Sequence, residues 1–242
     1  GFTKNVDGKM HLAMTYNDDL RDYSQIRVWA SRKWFSNDKS EYDVNKRYDT
    51  FEKPSKKITL SEVFDFTRYR FEDTKYTLED PNNNTRPIGI ERMSNCGIFQ
   101  LRKNKSPIAW ISLANADLSI YMPMYFNIDT LPNEFLKENI EYDKDVAYWK
   151  FRSVSSLANT NRSKYGKFVQ SEYKKLENKF IKEINKMDVE YEKGYKLGNT
   201  ASKIFEKVSK QAMNLADELF DKLIMQISVD DVENSRKYGQ DK

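Results

Sequence analysis

A weakly charged stretch at residues 85–129 interrupts an otherwise highly charged chain and limits the folds that the chain can adopt. Within it, short runs of apolar, β-branched and aromatic residues alternate with turn-forming residues, which is typical of buried strands. Breaks at 103–107 and 114–117 indicate three adjacent strands in an antiparallel meander. The predicted strands are 96–102, 108–114 and 118–126. Because Pro123 has no N–H to donate to a neighbouring strand, we expect a bulge or a sheet edge there.

The segments on both sides of this stretch have apolar residues at helical spacing. The predicted helices are 24–35, 59–70, 143–159, 162–187 and 199–227. Ser24 is the expected N-cap of the first helix, and Thr59 or Ser61 that of the second, because their hydroxyls accept hydrogen bonds from free backbone N–H groups. The tail from Asp230 is polar and predicted to be frayed.

Helices on both sides of one antiparallel meander predict an α+β fold. We expect residues 1–135 to form one domain that includes the sheet, and residues 136–242 to form a helical region packed on the same domain.

The composition excludes several classes of protein. Among 242 residues, 41 are basic and 37 are acidic, and the two signs are interspersed, whereas a nucleic-acid-binding protein concentrates its basic residues. No run approaches the roughly 18 apolar residues that a membrane span needs. With one cysteine and one histidine, the chain lacks an intramolecular disulfide and the ligands of a structural zinc site. We therefore expect no metal, no cofactor, no nucleic acid and no membrane partner.

Cys96 and His11 are the only residues of their types, and together they are the only cysteine–histidine pair that this chain offers for catalysis. Cys96 lies at the start of an apolar strand, where an unreactive, buried side chain is the common interpretation. His11 lies in a polar segment, and nothing in the sequence places it near Cys96. The residues alone therefore favour structural roles for both.

Several pieces of the central stretch, in their order and spacing, resemble the dipeptidase A family of N-terminal-nucleophile cysteine peptidases. They are RPIGI at 86–90 followed by Arg92, IFQLR at 98–102, AWISL at 109–113 and YMPMY at 121–125. Weaker likeness includes RVW at 27–29 and YWK at 148–150. The family is related in fold to penicillin V acylase and bile salt hydrolase. The resemblance extends over most of this chain but covers only the C-terminal half of such an enzyme.

This resemblance implies a four-layer αββα fold, of which the chain is the second half, and a cytoplasmic dipeptidase that needs no cofactor. The family nucleophile is an N-terminal cysteine whose own α-amino group serves as the base. Residue 1 is Gly1, which carries no nucleophile. The chain is then either a fragment, with the missing N-terminal half as its partner, or a degenerate member of the family. We expect a fragment to be inactive, poorly soluble and able to form homo-oligomers.

Substrate-binding residues are sought among donors near the strands, because a dipeptide carries a free carboxylate that arginine can bind through two hydrogen bonds. Arg86 is the first candidate, since it lies between a loop and a strand. Its alternative is a structural ion pair with Glu91 or Asp80. Arg92 and Asn127 are further candidates.

Two other polar residues near the strands have a simpler interpretation. Arg102 follows the first strand beside a lysine-rich turn, so we expect its side chain to be solvated. Asn115 is either a turn former or a donor to the substrate.

A second function remains open from the residues alone. The charged helical surfaces and the absence of a usable nucleophile also fit a non-catalytic helical–β interaction module.

Overall fold

The computed structural model describes residues 5–6, 8–10, 22–44, 46, 48–49, 51–78, 80, 82–83, 85–137, 140–194 and 199–240. Helices and a three-stranded antiparallel sheet make the fold α+β, as predicted. The chain divides into two compact units, an N-terminal unit Gly1–Ile88 and a C-terminal unit Gly89–Lys242. The αββα arrangement and the expected division after residue 135 stay predictions.

The described part of the N-terminal unit contains a short antiparallel pair and two helices. They are β1 Asn5–Val6, β2 Lys9–Met10, α1 Asp22–Phe35 and α2 Leu60–Thr67. The predicted first helix is confirmed, but Ser24 is not its N-cap, because the helix already begins at Asp22. The core of this unit consists of buried Ile26, Trp29, Ala30, Tyr48, Tyr69 and Phe71. His11 lies outside the described residues.

Helix α2 begins with a capping box, and its N-cap is Thr59, one of the two residues predicted for that position. Thr59 Oγ1 accepts a hydrogen bond from the Glu62 N–H, and the Glu62 carboxylate accepts one from the Thr59 N–H at 2.8 Å. The two bonds satisfy N–H groups that would otherwise lack partners at the start of the helix. The helix ends at Thr67 rather than at 70, and Phe71 follows with a left-handed φ of 66° while its side chain is fully buried.

The C-terminal unit contains the predicted meander, in the order β3–β4–β5. Its strands are β3 Asn95–Gln100, β4 Ile108–Leu113 and β5 Met122–Tyr125. The third strand starts later than predicted because Ala116–Leu118 forms a 3-10 turn. Pro123 lies opposite Trp110 in β5, which is the last strand of the described sheet, so the edge interpretation of this proline is confirmed.

Four helices follow the sheet, and they are α3 Asn133–Leu136, α4 Ala147–Asn159, α5 Lys167–Gly194 and α6 Thr200–Gln240, with a π-helical turn at Arg162–Gly166. Helix α6 packs against β5, α4 and α5, and α4 also contacts β4. Among the described helices, none is both long and apolar enough to cross a membrane.

The predicted fraying from Asp230 is wrong, because α6 continues through that residue. Asp230 accepts hydrogen bonds from Lys164 Nζ, at 2.7 Å to Oδ1, and from the Tyr165 hydroxyl, at 2.5 Å to Oδ2. These contacts hold a polar part of α6 against the π-helical turn, whereas the polar composition of this part of the helix alone predicts a frayed end.

Candidate functional site

Arg86 projects from a loop whose neighbours hold the backbone in place. The Thr85 hydroxyl donates a hydrogen bond to the Tyr76 carbonyl at 2.7 Å, and Pro87 is buried. Arg86 itself is exposed. An exposed arginine on a fixed backbone is suited to binding a carboxylate, which is the role predicted for this residue from the sequence. That role stays a prediction.

Arg92 lies in the turn that precedes β3 and is exposed. The turn is held from two sides. Arg152 Nη1 donates to the Glu91 carbonyl at 2.9 Å, and the Ala114 N–H donates to the Ser94 carbonyl at 2.7 Å. Arg92 is therefore placed at the end of the meander where β4 finishes.

Asn127 is exposed and lies at the opposite end of the meander, two residues after β5. The sheet register places Asn95 opposite Leu113 and Tyr125 opposite Ile108. At about 3.4 Å per residue, the length of β4 separates the two ends by roughly 17 Å. A single dipeptide spans about 7 Å. A single dipeptide is therefore much shorter than the distance between the two ends.

The end of the meander near Asn127 contains a buried charge cluster around Asp188 of α5. The Arg102 guanidinium donates two hydrogen bonds to its carboxylate, Nη1 to Oδ2 at 2.9 Å and Nη2 to Oδ1 at 2.8 Å. Lys105 Nζ lies 3.0 Å from Oδ2, and the Tyr125 hydroxyl donates to Oδ1 at 2.6 Å. The side chains of Arg102 and Asp188 are only 11% and 6% exposed. The prediction that Arg102 is solvated is wrong, because α5 brings a carboxylate against the β3–β4 turn.

The hydrogen bonds of this cluster decide the charge state of Asp188. Burial raises the pKa of its carboxyl group, but the donors on Arg102, Tyr125 and Lys105 outweigh burial and hold the pKa below the ordinary value. Burial, followed by the hydrogen bond to Asp188, raises the pKa of Tyr125. Asp188 is therefore an anion and Tyr125 a neutral donor at neutral pH.

Asn127 is connected to this cluster through two tyrosines. Tyr191 stacks on Tyr125 with ring centroids 4.1 Å apart and planes 9° from parallel. The Tyr191 hydroxyl donates to Asn127 Oδ1 at 2.7 Å. The carboxamide of Asn127 is thus oriented by the protein itself. Sequence reasoning missed Asp188 and Tyr191, although a carboxylate on the apolar stripe of α5 was a usable signal.

The other end of the meander, near Arg92, contains buried polar side chains. Ala114 has a left-handed φ of 60°. Asn115 is fully buried, and neither polar atom of its carboxamide has a hydrogen-bond partner among the described residues. The Asn115 carbonyl accepts the Leu118 N–H at 3.0 Å, which supports the turn-forming interpretation of this residue. Asp117 is buried as well and is held by Arg162 and by Gln170 Nε2, the latter at 3.0 Å.

Cys96 lies in β3 opposite Ser112 and is half-buried. His11, the base considered for it, falls outside the described residues. Within the described part of the chain, no group of three histidine, cysteine or carboxylate side chains is arranged to hold a metal ion. The described geometry therefore assigns Cys96 a position in the sheet and no catalytic partner.

Comparison with known proteins gives this arrangement a family context. The family model described as peptidase family C69 matches residues 6–177, which covers both units in part.

Two kinds of curated relative are similar to the chain. A protein named probable dipeptidase B, from Streptococcus pyogenes serotype M1, is 24% identical over 237 residues, which is 90% of this chain and 47% of the relative. A protein named probable dipeptidase A, from Streptococcus pyogenes serotype M3 (strain SSI-1), is 27% identical over 154 residues, or 58% of this chain and 32% of the relative. The chain spans about half the length of the dipeptidase B relatives that it matches.

Proposed function

This chain belongs to peptidase family C69, whose model matches residues 6–177, and from that premise we propose that it is part of a cysteine-type dipeptidase acting on small peptides. The proposal rests on the family match, together with relatives that are named probable dipeptidases. We place the activity in the cytoplasm.

The nucleophile, on this proposal, is an N-terminal cysteine in sequence outside this chain. Its thiol gives a proton to its own α-amino group, whose reference pKa near ~8 suits a base at neutral pH. The thiolate then attacks the peptide carbonyl carbon, and the scissile C–N bond breaks as the leaving nitrogen takes up the proton. Water hydrolyses the resulting thioester and frees the enzyme. Cys96, with no described base beside it, takes no part.

The contribution of this chain is an apolar face of the meander that the rest of the protein covers. The Tyr125 side chain lies on the α5 side of the sheet, because its hydroxyl bonds to Asp188. Since successive side chains of a strand point to opposite faces, the residues next to Tyr125, and those next to its partners on the other strands, lie on the other face. That face exposes 67% of Phe99, 84% of Leu101 and 53% of Phe126. Exposed apolar surface of this kind is typical of an interface. The missing half of the protein is the partner that we propose for it.

Arg86 is proposed as the residue that binds the substrate carboxylate, and Arg92 and Asn127 are the alternative candidates for that role. Arg86 ranks first because the Thr85 hydroxyl is bonded to the Tyr76 carbonyl and Pro87 is buried on either side of it, while Arg86 is an exposed residue. A bidentate arginine orients a carboxylate as well as attracting it, so the scissile bond is placed as the substrate binds.

The test compares this chain with a version extended by its upstream coding sequence, using a panel of dipeptides with and without a thiol-blocking reagent. We expect thiol-sensitive hydrolysis by the extended protein only. In that protein, Arg86→Ala should raise KM far more than Lys53→Ala, which removes an exposed cation of the same unit outside the proposed site. Absence of hydrolysis in both versions would favour the non-catalytic interaction module. Hydrolysis by the short chain would make Cys96 the candidate nucleophile.

A further inference from the structure

A pocket in the N-terminal unit has three mutually contacting aromatic rings as its floor. The ring centroids of Trp29 and Tyr42, of Trp29 and Tyr76, and of Tyr42 and Tyr76 are 5.8, 5.8 and 5.5 Å apart. Trp29 Nε1 donates to the Ser40 carbonyl at 2.9 Å, and the Tyr76 hydroxyl donates to the Tyr42 carbonyl at 3.3 Å. These bonds fix the rings relative to one another. The cavity measures about 230 Å³, which suits an amino acid or a short peptide.

Charges of both signs form the rim of the pocket. Lys33 Nζ lies 2.7 Å from the Asp73 carboxylate, and Lys75 Nζ lies 2.7 Å from that of Glu41. Both ammonium groups also lie over the floor, Lys33 at 5.7 Å from the Trp29 centroid and Lys75 at 5.5 Å from that of Tyr76. The pocket thus presents paired cations and anions directly above aromatic surface.

The two ion pairs differ in exposure. Lys75 and Glu41 keep 64% and 80% of their side-chain surface exposed, whereas Lys33 keeps 29% and its partner Asp73, 62% exposed, also accepts a hydrogen bond from the Tyr69 hydroxyl. An exposed pair such as Lys75–Glu41 contributes little to stability, so a ligand that offers equivalent charges replaces it at small cost. Lys39 is a third lysine on the rim, which gives the pocket one net positive charge.

We propose that this pocket binds a small zwitterion with an aromatic side chain, namely a free aromatic amino acid or a short peptide with free termini. The carboxylate of the ligand pairs with a rim lysine, its ammonium group pairs with Glu41 or Asp73, and its ring packs on the aromatic floor. A simple anion fits less well, because it leaves the two rim carboxylates opposed to it. Only the inclusion of peptides rests on the proposed function.

The probe is L-phenylalanine, which has both termini and an aromatic ring but no peptide bond to hydrolyse. Binding to the 242-residue chain is followed by saturation-transfer NMR, with an expected Kd in the low-millimolar range for a ligand of this size. N-acetyl-phenylalanine amide, which lacks both charges, should bind at least about tenfold more weakly, as expected for the loss of charge-assisted hydrogen bonds.

Variants locate the site. Lys75→Gln should weaken L-phenylalanine binding about tenfold, and Lys39→Gln should weaken it less, because that lysine has no ring beneath it among the described contacts. Lys53→Gln, an exposed lysine of the same unit outside the pocket, should leave binding unchanged. The proposal is overturned by an absence of saturable binding, by equal binding of the neutral analogue, or by equal effects of Lys75→Gln and Lys53→Gln. None of these outcomes bears on whether the extended protein hydrolyses dipeptides.

Discussion

Arg102 and Asp188 are 86 residues apart in the chain, yet they meet through two hydrogen bonds of 2.9 and 2.8 Å in a nearly solvent-free place. The pair joins the turn between β3 and β4 to the C-terminal part of α5. It therefore couples the meander to the helices that cover one of its faces. Two consequences for stability can be measured.

Removal of one partner of this pair should destabilise the fold strongly. Arg102→Ala leaves the Asp188 carboxylate buried without its bidentate donor, and losses of about 3–5 kcal/mol are typical of such changes. Lys105 contacts the same carboxylate but keeps 43% of its side chain exposed, so Lys105→Ala should cost less than about 1 kcal/mol. Urea unfolding of both variants measures the difference. Equal losses would mean that burial does not decide the strength of these contacts.

The same carboxyl group should make stability depend on pH in the acid range. The folded-state pKa of Asp188 lies below its ordinary value of 3.8, so the folded state resists protonation more than the unfolded state does. Its stabilising contribution is complete above that value and is lost as pH falls below it. We expect the unfolding free energies of wild type and Asp188→Asn to converge as the pH is lowered from 5 toward 2, in urea titrations at each pH. A constant difference would contradict the assignment of the charge to this residue.

Local residue patterns were enough to predict the meander and the α2 cap, because both depend on neighbours in sequence. Apolar runs between turn-forming residues predicted β3 and β4, and Thr59 was one of two hydroxyl residues predicted to cap the helix. The errors have the opposite cause. Arg102 was predicted to be solvated, but its partner Asp188 lies on a helix far along the chain. No pattern of neighbouring residues predicts such a contact.

The candidate site was harder to predict than the fold for the same reason. Arg92 and Asn127 both flank strands in sequence, but the register of the sheet places them at opposite ends of the meander. The aromatic floor of the N-terminal pocket combines Trp29 of α1 with two loop tyrosines, Tyr42 and Tyr76, which only the folded chain brings together. Sequence reasoning identified residue types suited to binding and missed their arrangement.

The capping box of α2 offers a test within the N-terminal unit. Thr59→Ala removes the oxygen that accepts the Glu62 N–H, and such changes cost about 1 kcal/mol. Thr59→Ser keeps the oxygen and should cost less than half as much. Chemical denaturation monitored by circular dichroism compares the two. If serine fails to restore stability, the threonine methyl group rather than the cap is responsible.

The apolar face of the meander gives a prediction about the proposed partner of this chain. Phe99 and Phe126 lie on that face with ring centroids 5.8 Å apart, and both are more than half exposed. Replacing Phe99 and Leu101 with serine should reduce aggregation of the isolated chain, because it removes exposed apolar surface. In the extended protein the same double change should lower stability by several kcal/mol, since burying each large side chain contributes about 2 kcal/mol or more.

Light scattering of the short chain and thermal unfolding of the extended protein measure these two effects. Phe51→Ser is the matched control, because Phe51 is 92% exposed but belongs to the N-terminal unit and is not part of the sheet. It should leave the stability of the extended protein unchanged. If the double change at Phe99 and Leu101 also leaves that stability unchanged, the missing half does not cover this face. If it lowers stability while Phe51→Ser does not, the face is an internal interface of the complete protein.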